Sequence, residues 1–228
     1  MFEEEKEMLK RLCVKTNPGR QAALENELKA MGVHYDNLDD LALMVPAKTD
    51  RKVVLSAHYD VALVLNGSSY GYNDNGMALV TVLKMLGQLP QEVEVVFTNL
   101  EEWGSKGAKH YLEHTDARQI LGCVNLDVVG CFDQVYLDPM DFALARELTN
   151  CKQGDMPRSD ARAFAEAGVP SVCFSTGPSD TDFDEGIEQI WSTIHNNEKD
   201  NRFDILNFEM IGKVAAEALK VIRMMTEA

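Results

Sequence analysis

The sequence predicts an α/β fold: a single domain with a mostly parallel mixed central sheet and helices on both faces. Apolar runs of strand length, such as 53–57, 93–98 and 171–175, alternate with segments of helical period. These runs are mostly apolar, as is typical of strands buried in a parallel sheet. No internal repeat, linker or low-complexity tract divides the 228 residues, so we expect one domain over residues 1–228.

The first elements of the chain are predicted to be two amphipathic helices, over residues 3–13 and 20–31. The segment Asn17-Pro18-Gly19 separates them, because proline and glycine interrupt helices. Short strand-like runs at 33–36 and 41–46 follow, and we expect them to form a hairpin on one edge of the sheet.

The middle of the chain predicts the centre of the sheet. Residues 53–57 read as a buried strand, and Asp74 and Asn75 favour the start of a helix. The segment 77–86 that follows is apolar nearly all round, so this helix is expected to be buried. The later elements are predicted as strands 93–98, 121–127, 134–137 and 171–175, helices 106–114 and 141–149, a polar stretch 177–200, and a final helix capped by Asp204.

The composition argues against several partners. A net charge of −15 disfavours binding to nucleic acid and to anionic membrane surfaces. No apolar run approaches transmembrane length, and residues 1–6 lack the basic start and apolar core of a signal peptide. The five cysteines contain no CxxC spacing, which suits reduced thiols in a cytosol. We therefore expect a cytoplasmic protein with no nucleic-acid or membrane partner.

Polar side chains follow three of the predicted strands at the point where each strand ends. His58 follows the first, Glu101-Glu102 the second, and Asp127 closes the third. Since the carboxyl ends of strands form the functional crevice of open α/β sheets, these side chains are expected to share one edge. Asp74 begins the helix after the first strand, so it can lie at the same edge.

Taken singly, each of these residues has a simple structural explanation, as a helix cap or part of a solvated loop. Asp127 differs because it lies in the apolar run Val124–Val129, where an unpaired buried carboxylate would be costly. A bound cation would compensate that charge. His195 lies in the polar stretch before the final helix and can fold back over the site. The sequence therefore predicts a metal site at this sheet edge.

At this point the sequence resembles a known family, the co-catalytic zinc aminopeptidases of the bacterial leucyl aminopeptidase type. Its relatives include the glutaminyl cyclases and glutamate carboxypeptidase II. No single motif is specific, but the ordered set is, and it covers roughly residues 50–210. The motifs are His58-Tyr59-Asp60, Gly71-Tyr72-Asn73-Asp74-Asn75, Asn99-Leu100-Glu101-Glu102, Asn125-Leu126-Asp127-Val128-Val129-Gly130, Ser159-Asp160 with Gly168-Val169-Pro170, and Ile194-His195 followed by Asp200.

The resemblance implies a zinc-peptidase domain that holds two zinc ions, with cobalt or manganese as alternative metals. Asp74 would bridge the two ions. By position, His58 and Asp127 would complete one site, and Glu102 and His195 the other. Carboxylate and imidazole ligands suit zinc and leave positions open for water and substrate.

The resemblance also implies roles for two residues that do not bind metal. Asp60 would orient His58 through the second ring nitrogen. Glu101 would be the general base of a metallo-aminopeptidase that removes N-terminal residues from peptides. A free substrate α-amino group could bind one metal, so peptides with a free N-terminus are the expected substrates. The oligomeric state is not predicted.

The sequence leaves two other functions open. One is glutaminyl cyclisation with a single catalytic zinc at Asp74, Glu102 and His195, and the other is a metal-binding descendant that has lost catalysis. Departures from the family lie on the substrate side: Ala161 follows the Ser-Asp pair where the family often has histidine, and residues 177–193 have no match.

The segment His110-Tyr111-Leu112-Glu113-His114 fits H-x-x-E-H, a single-zinc peptidase signature. Its helix is predicted to end at once, near Thr115. We interpret the segment as an exposed helix end with two favourably placed histidines. Activity or zinc content is therefore expected to survive loss of both histidines, but not loss of Asp74.

Overall fold

The structure is a computed structural model that describes residues 1–64, 67–156, 158–195 and 198–227. Strands and helices alternate along the chain, as the sequence predicts. The strands are β1 (Asp36–Leu38), β2 (Ala42–Val45), β3 (Lys52–His58), β4 (Leu63–Val64), β5 (Gly67–Ser68), β6 (Val93–Thr98), β7 (Ile120–Leu126), β8 (Gln134–Asp138), β9 (Lys152–Gln153) and β10 (Ser171–Gly177). The helices are α1 (Glu3–Leu12), α2 (Asn17–Ala30), α3 (Met77–Met85), α4 (Lys106–Glu113), α5 (Ala145–Leu148), α6 (Asp160–Glu166), α7 (Phe183–Trp191) and α8 (Glu209–Glu227).

Eight strands form one mixed sheet in the order β1-β2-β6-β3-β7-β10-β8-β9. The four central strands β6, β3, β7 and β10 run parallel to one another. The antiparallel pairs are β1 with β2, β2 with β6, and β10 with β8, while β8 and β9 are parallel. The predicted hairpin is therefore confirmed as an edge of the sheet.

Helices cover both faces of the sheet, because alternate residues of each buried strand face opposite ways. Val53 and Leu55 of β3 pack in the larger hydrophobic cluster, which includes α1, α2, α3 and α8. Val54, between them, packs in a second cluster with residues of α4 and α6. In α3 every residue except Lys84 is buried, as its all-round apolar sequence predicts.

Two helix boundaries differ from the sequence prediction. Helix α2 begins at Asn17 and thus includes the segment Asn17-Pro18-Gly19, which was expected to precede it. Proline is tolerated there because it lies in the first turn of the helix. Thr16 caps this helix by accepting a hydrogen bond from the amide of Gly19. The final helix begins at Glu209, since Asp204 lies in a short 3₁₀ turn instead of at the helix start.

Two predicted segments also differ in content. The helix expected over 141–149 is reduced to the single turn α5, and the polar stretch 177–200 contains helix α7. Among the described residues, no helix is both long and apolar enough to cross a bilayer. The extent of the predicted domain, residues 1–228, stays a prediction.

Candidate metal centre

The carboxyl edge of the central strands gathers the residues that the sequence singles out. His58 is the last residue of β3, and Asp127 follows β7 directly. Glu102 lies in the turn that follows β6. Asp74 lies in the π-helical turn Tyr72–Gly76 that leads into α3, and His195 lies just beyond α7.

These five side chains form two groups that share Asp74. Its Oδ1 atom lies 3.1 Å from His58 Nε2, and its Oδ2 atom lies 3.3 Å from His195 Nε2. Asp127 Oδ1 completes the first group, 3.4 Å from His58 Nε2. Glu102 Oε2 completes the second, 2.9 Å from His195 Nε2. One carboxylate thus faces two separate sets of metal-ligating atoms, one with each of its oxygens.

Side-chain to backbone hydrogen bonds fix the turn that carries Asp74. Asn75 Nδ2 donates to the carbonyl of Leu126, and Asn75 Oδ1 accepts from the amide of Val128. The two bonds bracket Asp127 and hold it beside Asp74. Val128 has a φ of 54°, a conformation that is uncommon for a β-branched residue and that the surrounding contacts must enforce.

Asp200 anchors the same turn from the other side. Its Oδ1 atom accepts hydrogen bonds from the amides of Asn73 and Asp74 at 2.9 and 3.2 Å, and its Oδ2 atom accepts from Ser69 Oγ. Burial raises the pKa of Asp200 to about 7, and the nearby charge of Asp74 acts in the same direction. In the sequence Asp200 stands out only as part of a motif. In the structure its carboxylate holds the turn that carries Asp74.

Asp60 lies beneath the centre and connects two of its loops. Its carboxylate accepts hydrogen bonds from the amides of Glu101 and Glu102 at 3.0 and 3.3 Å. Its Oδ1 atom also lies 3.3 Å from His58 Nδ1, although the two are not aligned as a hydrogen bond. Asp60 therefore lies beside His58 and holds the Glu101-Glu102 turn, and its role in orienting His58 stays a prediction.

The electrostatics of the centre are those of crowded buried carboxylates. Burial raises the pKa of Glu101 to about 9, and the charges of Asp127, Asp160 and Glu102 add to that rise. Burial also raises the pKa of Asp127. For Asp74 burial acts in the same direction, but hydrogen bonds from His195 and His58 outweigh it and hold its pKa below the usual range.

The pKa values of the two imidazoles are raised by the carboxylates around them. Hydrogen bonds to Asp74 and Glu102 raise the pKa of His195 to about 10. Burial alone would lower the pKa of His58, but the carboxylates of Asp127, Asp60 and Asp74 raise it well above its ordinary value. Both shifts show imidazoles embedded among negative charges.

The donor set fits divalent metal. Six buried or half-buried carboxyl groups lie around two imidazoles, so the centre carries more negative charge than its own side chains neutralise. Among the described residues, Glu102 Oε1 is buried and has no hydrogen-bond partner. A cation would satisfy that oxygen, and imidazole with carboxylate is a ligand set that zinc accepts. The carboxyl groups are Asp60, Asp74, Glu101, Glu102, Asp127 and Asp160.

A cavity of about 250 Å³ opens directly onto this centre. One wall consists of the candidate ligands and Glu101. The rest of the lining is an apolar wall from α7, the residues just after it, β10 and neighbouring loops, and Arg158 also lines the cavity. The apolar residues of this wall are Val128, Met156, Ile187, Ile190, Trp191 and Ile194.

Sequence reasoning missed the apolar wall. The sequence predicts only a polar stretch over 177–200, because acidic residues dominate it. The signal was nevertheless present, since Phe183, Ile187, Ile190 and Ile194 recur at the three- and four-residue spacing of a helix face. Acidic residues such as Glu188 occupy the other face of α7.

Asp160 is a second residue whose place the sequence did not indicate. It is fully buried at the start of α6, where the hydroxyl of Thr98 donates to its Oδ2 atom. Burial raises its pKa to about 6. The contact joins α6 to the end of β6, from which the Glu101-Glu102 turn begins.

The H-x-x-E-H histidines lie outside the centre. His110 lies on α4, which ends at Glu113, and His114 is the residue that caps this helix. Neither histidine lines the cavity. The predicted helix end is confirmed. Their neighbour is Asp39, in the turn between β1 and β2.

Comparison with known proteins finds the kind of protein that the motifs predict. Residues 40–151 match peptidase family M28. A vacuolar membrane protease from Eremothecium gossypii is 34% identical over 117 residues, which cover 49% of this chain and 11% of the relative. The chain thus spans about a tenth of the length of the curated relatives it matches.

Solved structures confirm the fold. BSAP, a zinc aminopeptidase from Bacillus subtilis, has a TM-score of 0.62 at 21% identity, covering 80% of this chain and 49% of that one. A glutaminyl cyclase from an Acidobacteriales bacterium has a TM-score of 0.71 at 17% identity, covering 98% of this chain and 92% of that one. The resemblance to the zinc aminopeptidases and their cyclase relatives is therefore confirmed.

The same comparison corrects the expected location. A cytoplasmic protein was expected, but the matching curated relatives are all named vacuolar membrane proteases, so that expectation is wrong. Acidic composition and cysteine spacing are not targeting signals, so the prediction of a cytoplasmic location from them was wrong.

Proposed function

Because this chain resembles peptidase family M28 in sequence and the zinc aminopeptidases in fold, we propose that it is a di-zinc aminopeptidase. The observation that carries the proposal is the pair of ligand groups that share Asp74. The first zinc would be held by His58, Asp74 and Asp127, and the second by Asp74, Glu102 and His195. Cobalt or manganese would fit the same ligands.

When bound, two such ions about 3.5–4 Å apart polarise a scissile carbonyl and lower the pKa of an attacking water. Glu101 lines the same cavity and is not a member of either ligand group among the described residues. Its carboxylate would accept the proton of the attacking water and pass it to the leaving amine. In the metal-free chain the raised pKa of Glu101, about 9, keeps its carboxyl group protonated at neutral pH, so Glu101 would act as a base only where the positive charge of bound zinc lowers that pKa.

The cavity supports a substrate with a free α-amino group and an apolar first side chain. The carboxylates on one wall would attract an ammonium group, and the apolar wall would receive a hydrophobic side chain. Peptides with a free N-terminus are thus the proposed substrates, with no nucleic acid involved.

The test uses zinc-loaded protein, a panel of aminoacyl chromogenic substrates and the Glu101→Gln variant. We expect cleavage of leucyl and phenylalanyl substrates, and loss of activity with a chelator. The variant should retain its zinc and lose about 10²–10⁴-fold in kcat, because it cannot accept a proton.

Glu113→Gln is the matched control, because this exposed carboxylate belongs to the H-x-x-E-H segment outside the cavity. It should match the wild type in rate and in zinc content. A Glu101→Gln variant that hydrolyses peptides at the wild-type rate would show that the base is assigned wrongly. Bound zinc without turnover on the whole panel would instead favour a descendant that binds metal and no longer catalyses.

Glutaminyl cyclisation is the second candidate, favoured by the likeness in fold to the bacterial glutaminyl cyclase, with its TM-score of 0.71. A cyclase with one catalytic zinc would use Asp74, Glu102 and His195 alone. Asp127→Asn therefore separates the two functions: it should cost most of the peptidase activity, whereas a single-zinc cyclase should retain turnover of glutaminyl substrates.

A further inference from the structure

We propose that the protein has a second metal site, separate from the catalytic centre, where His110 and His114 of α4 and Asp39 bind a zinc-like divalent cation. Each of the three side chains offers one ligand atom, and these atoms lie within 4.8 Å of one another. The three residues come from two elements that are distant in sequence, the β1–β2 turn and the C-terminal half of α4. This inference does not depend on the proposed peptidase function.

The two histidines are placed to act together. They are four residues apart: His110 lies in the last turn of α4 and His114 caps its C-terminus, so both imidazoles lie at the same helix end. Their ring centroids are 4.3 Å apart with the planes tilted by 48°. An i, i+4 histidine pair of this kind needs only small side-chain rotations to direct two nitrogens at one ion.

The hydrogen bonds of His114 leave one of its nitrogens available. Its Nδ1 atom is 2.8 Å from the backbone carbonyl of His110, which can only accept, so Nδ1 carries the proton and donates. The lone pair is then on Nε2. Metal-binding histidines are typically oriented in this manner, with the second nitrogen donating to a carbonyl or carboxylate.

Asp39 supplies the third ligand and the negative charge. Its Oδ2 atom is 3.1 Å from His110 Nε2, and its side chain is 78% exposed, so it can rotate freely toward an ion. With zinc bonds of about 2.0–2.1 Å, neighbouring ligand atoms lie roughly 3.3 Å apart. The Asp39 and His110 atoms are already near that separation, and all three ligand atoms lie within 4.8 Å of one another. The remaining coordination positions would be filled by water.

The backbone beneath Asp39 is rigid, which favours a defined site. The carbonyl of Asp40 accepts hydrogen bonds from Asn99 Nδ2 and from the hydroxyl of Tyr59, at 2.8 and 3.1 Å. The amide of Asn99 donates to the carbonyl of Leu41. A bound ion would therefore fasten α4 to a turn that is already tied to the ends of β3 and β6.

Imidazole ligands select the class of metal. Two histidines and one carboxylate suit zinc, nickel and copper, whereas magnesium and calcium prefer oxygen alone. The net charge of −15 raises the local concentration of any such cation. The sequence-based expectation that zinc content survives loss of both histidines then holds for the catalytic pair and not for protein saturated with zinc.

The test is a zinc titration of chelator-stripped protein, followed by calorimetry and elemental analysis. The wild type should bind one more equivalent of zinc than the double variant His110→Ala/His114→Ala. Asp39→Asn should bind that equivalent at least tenfold more weakly. Peptidase activity at two equivalents of zinc should be the same in all three proteins.

His34→Ala is the matched control, because His34 is an exposed histidine 3.7 Å from Asp36 and belongs to no group of three ligands in the described chain. It should bind as much zinc as the wild type. Asp74→Asn should lose zinc from the catalytic centre and still bind the additional equivalent. Equal zinc content in the wild type and the double histidine variant would overturn the proposal, and so would an additional equivalent that disappears with Asp74.

Discussion

At the scale of single residues, Asp60 shows how one buried carboxylate can position several others. It accepts two backbone amide hydrogen bonds from the Glu101-Glu102 turn and faces His58 Nδ1. In Asp60→Asn the amide can replace only part of these contacts, because its nitrogen donates. We expect zinc affinity to fall about 10–100-fold, as for other residues that support metal ligands. Competition with a chromogenic chelator measures that affinity.

The control for this variant is Asp36→Asn, since Asp36 also faces a histidine, His34, but at the surface. Its zinc affinity should equal that of the wild type. If Asp60→Asn bound both zinc ions as tightly as the wild type, Asp60 would be a structural residue of the turn and would not tune the metal.

Most of the candidate ligands could be located from the sequence because they mark the end of a strand or the start of a helix, and their binding of metal stays a prediction. His58, Glu102 and Asp127 are in that position, and the structure brings them together with Asp74. Asp200 could not be placed in this way. Its hydrogen bond to the amide of Asn73 spans 127 residues, and no local pattern encodes such a contact.

At the scale of elements, Gly107 sets how closely α4 approaches the turn that carries the candidate base. A Cβ atom there would lie 2.4 Å from the carbonyl oxygen of Leu41 and 2.5 Å from that of Asn99. Both are backbone atoms, so Gly107→Ala must push α4 away. We expect the unfolding free energy to fall by about 1–3 kcal/mol, as for overpacked sites, with a lower kcat. Denaturant unfolding and peptidase assays measure the two effects.

Gly212 in α8 provides the opposite case. A Cβ atom at this exposed helical position meets nothing within 4 Å. Gly212→Ala should therefore raise the unfolding free energy by roughly 0.5–1 kcal/mol, because alanine favours the helix and restricts the unfolded chain. Its kcat should be unchanged. A loss of stability in Gly212→Ala equal to that in Gly107→Ala would show that contact with the ligand turn is not the cause.

Elements were predicted well where burial determines their pattern. Strand β6 was predicted at its observed bounds, and α3 was recognised because it is apolar all round. Helix α7 was missed because acidic residues dominate its sequence, although its apolar side chains pack in a small hydrophobic cluster beside the cavity. A short helix with a charged outer face is thus harder to recognise than one that is buried all round.

At the scale of the whole molecule, the buried negative charge of the centre couples metal binding to protons. In the metal-free chain, the pKa of His195 is raised to about 10 and that of Glu101 to about 9. Both values exceed those of the unfolded chain. At neutral pH the folded, metal-free protein therefore binds more protons than the unfolded protein, and zinc must displace some of them.

The sign of the pH dependence follows from these shifts. A raised histidine pKa stabilises the metal-free fold fully below about pH 6.5, and that stability is lost as pH rises toward about 10. The raised pKa of Glu101 acts in the same direction, from about pH 4.5 to about 9. Zinc replaces the protons on its ligands, so zinc-loaded protein lacks this loss. The difference in Tm between zinc-loaded and metal-free protein should accordingly widen from about pH 6 to about pH 8. Scanning calorimetry at several pH values measures it, and His195→Gln should reduce the widening. A difference that stays constant or narrows over this range would contradict a centre whose imidazoles exchange protons for metal.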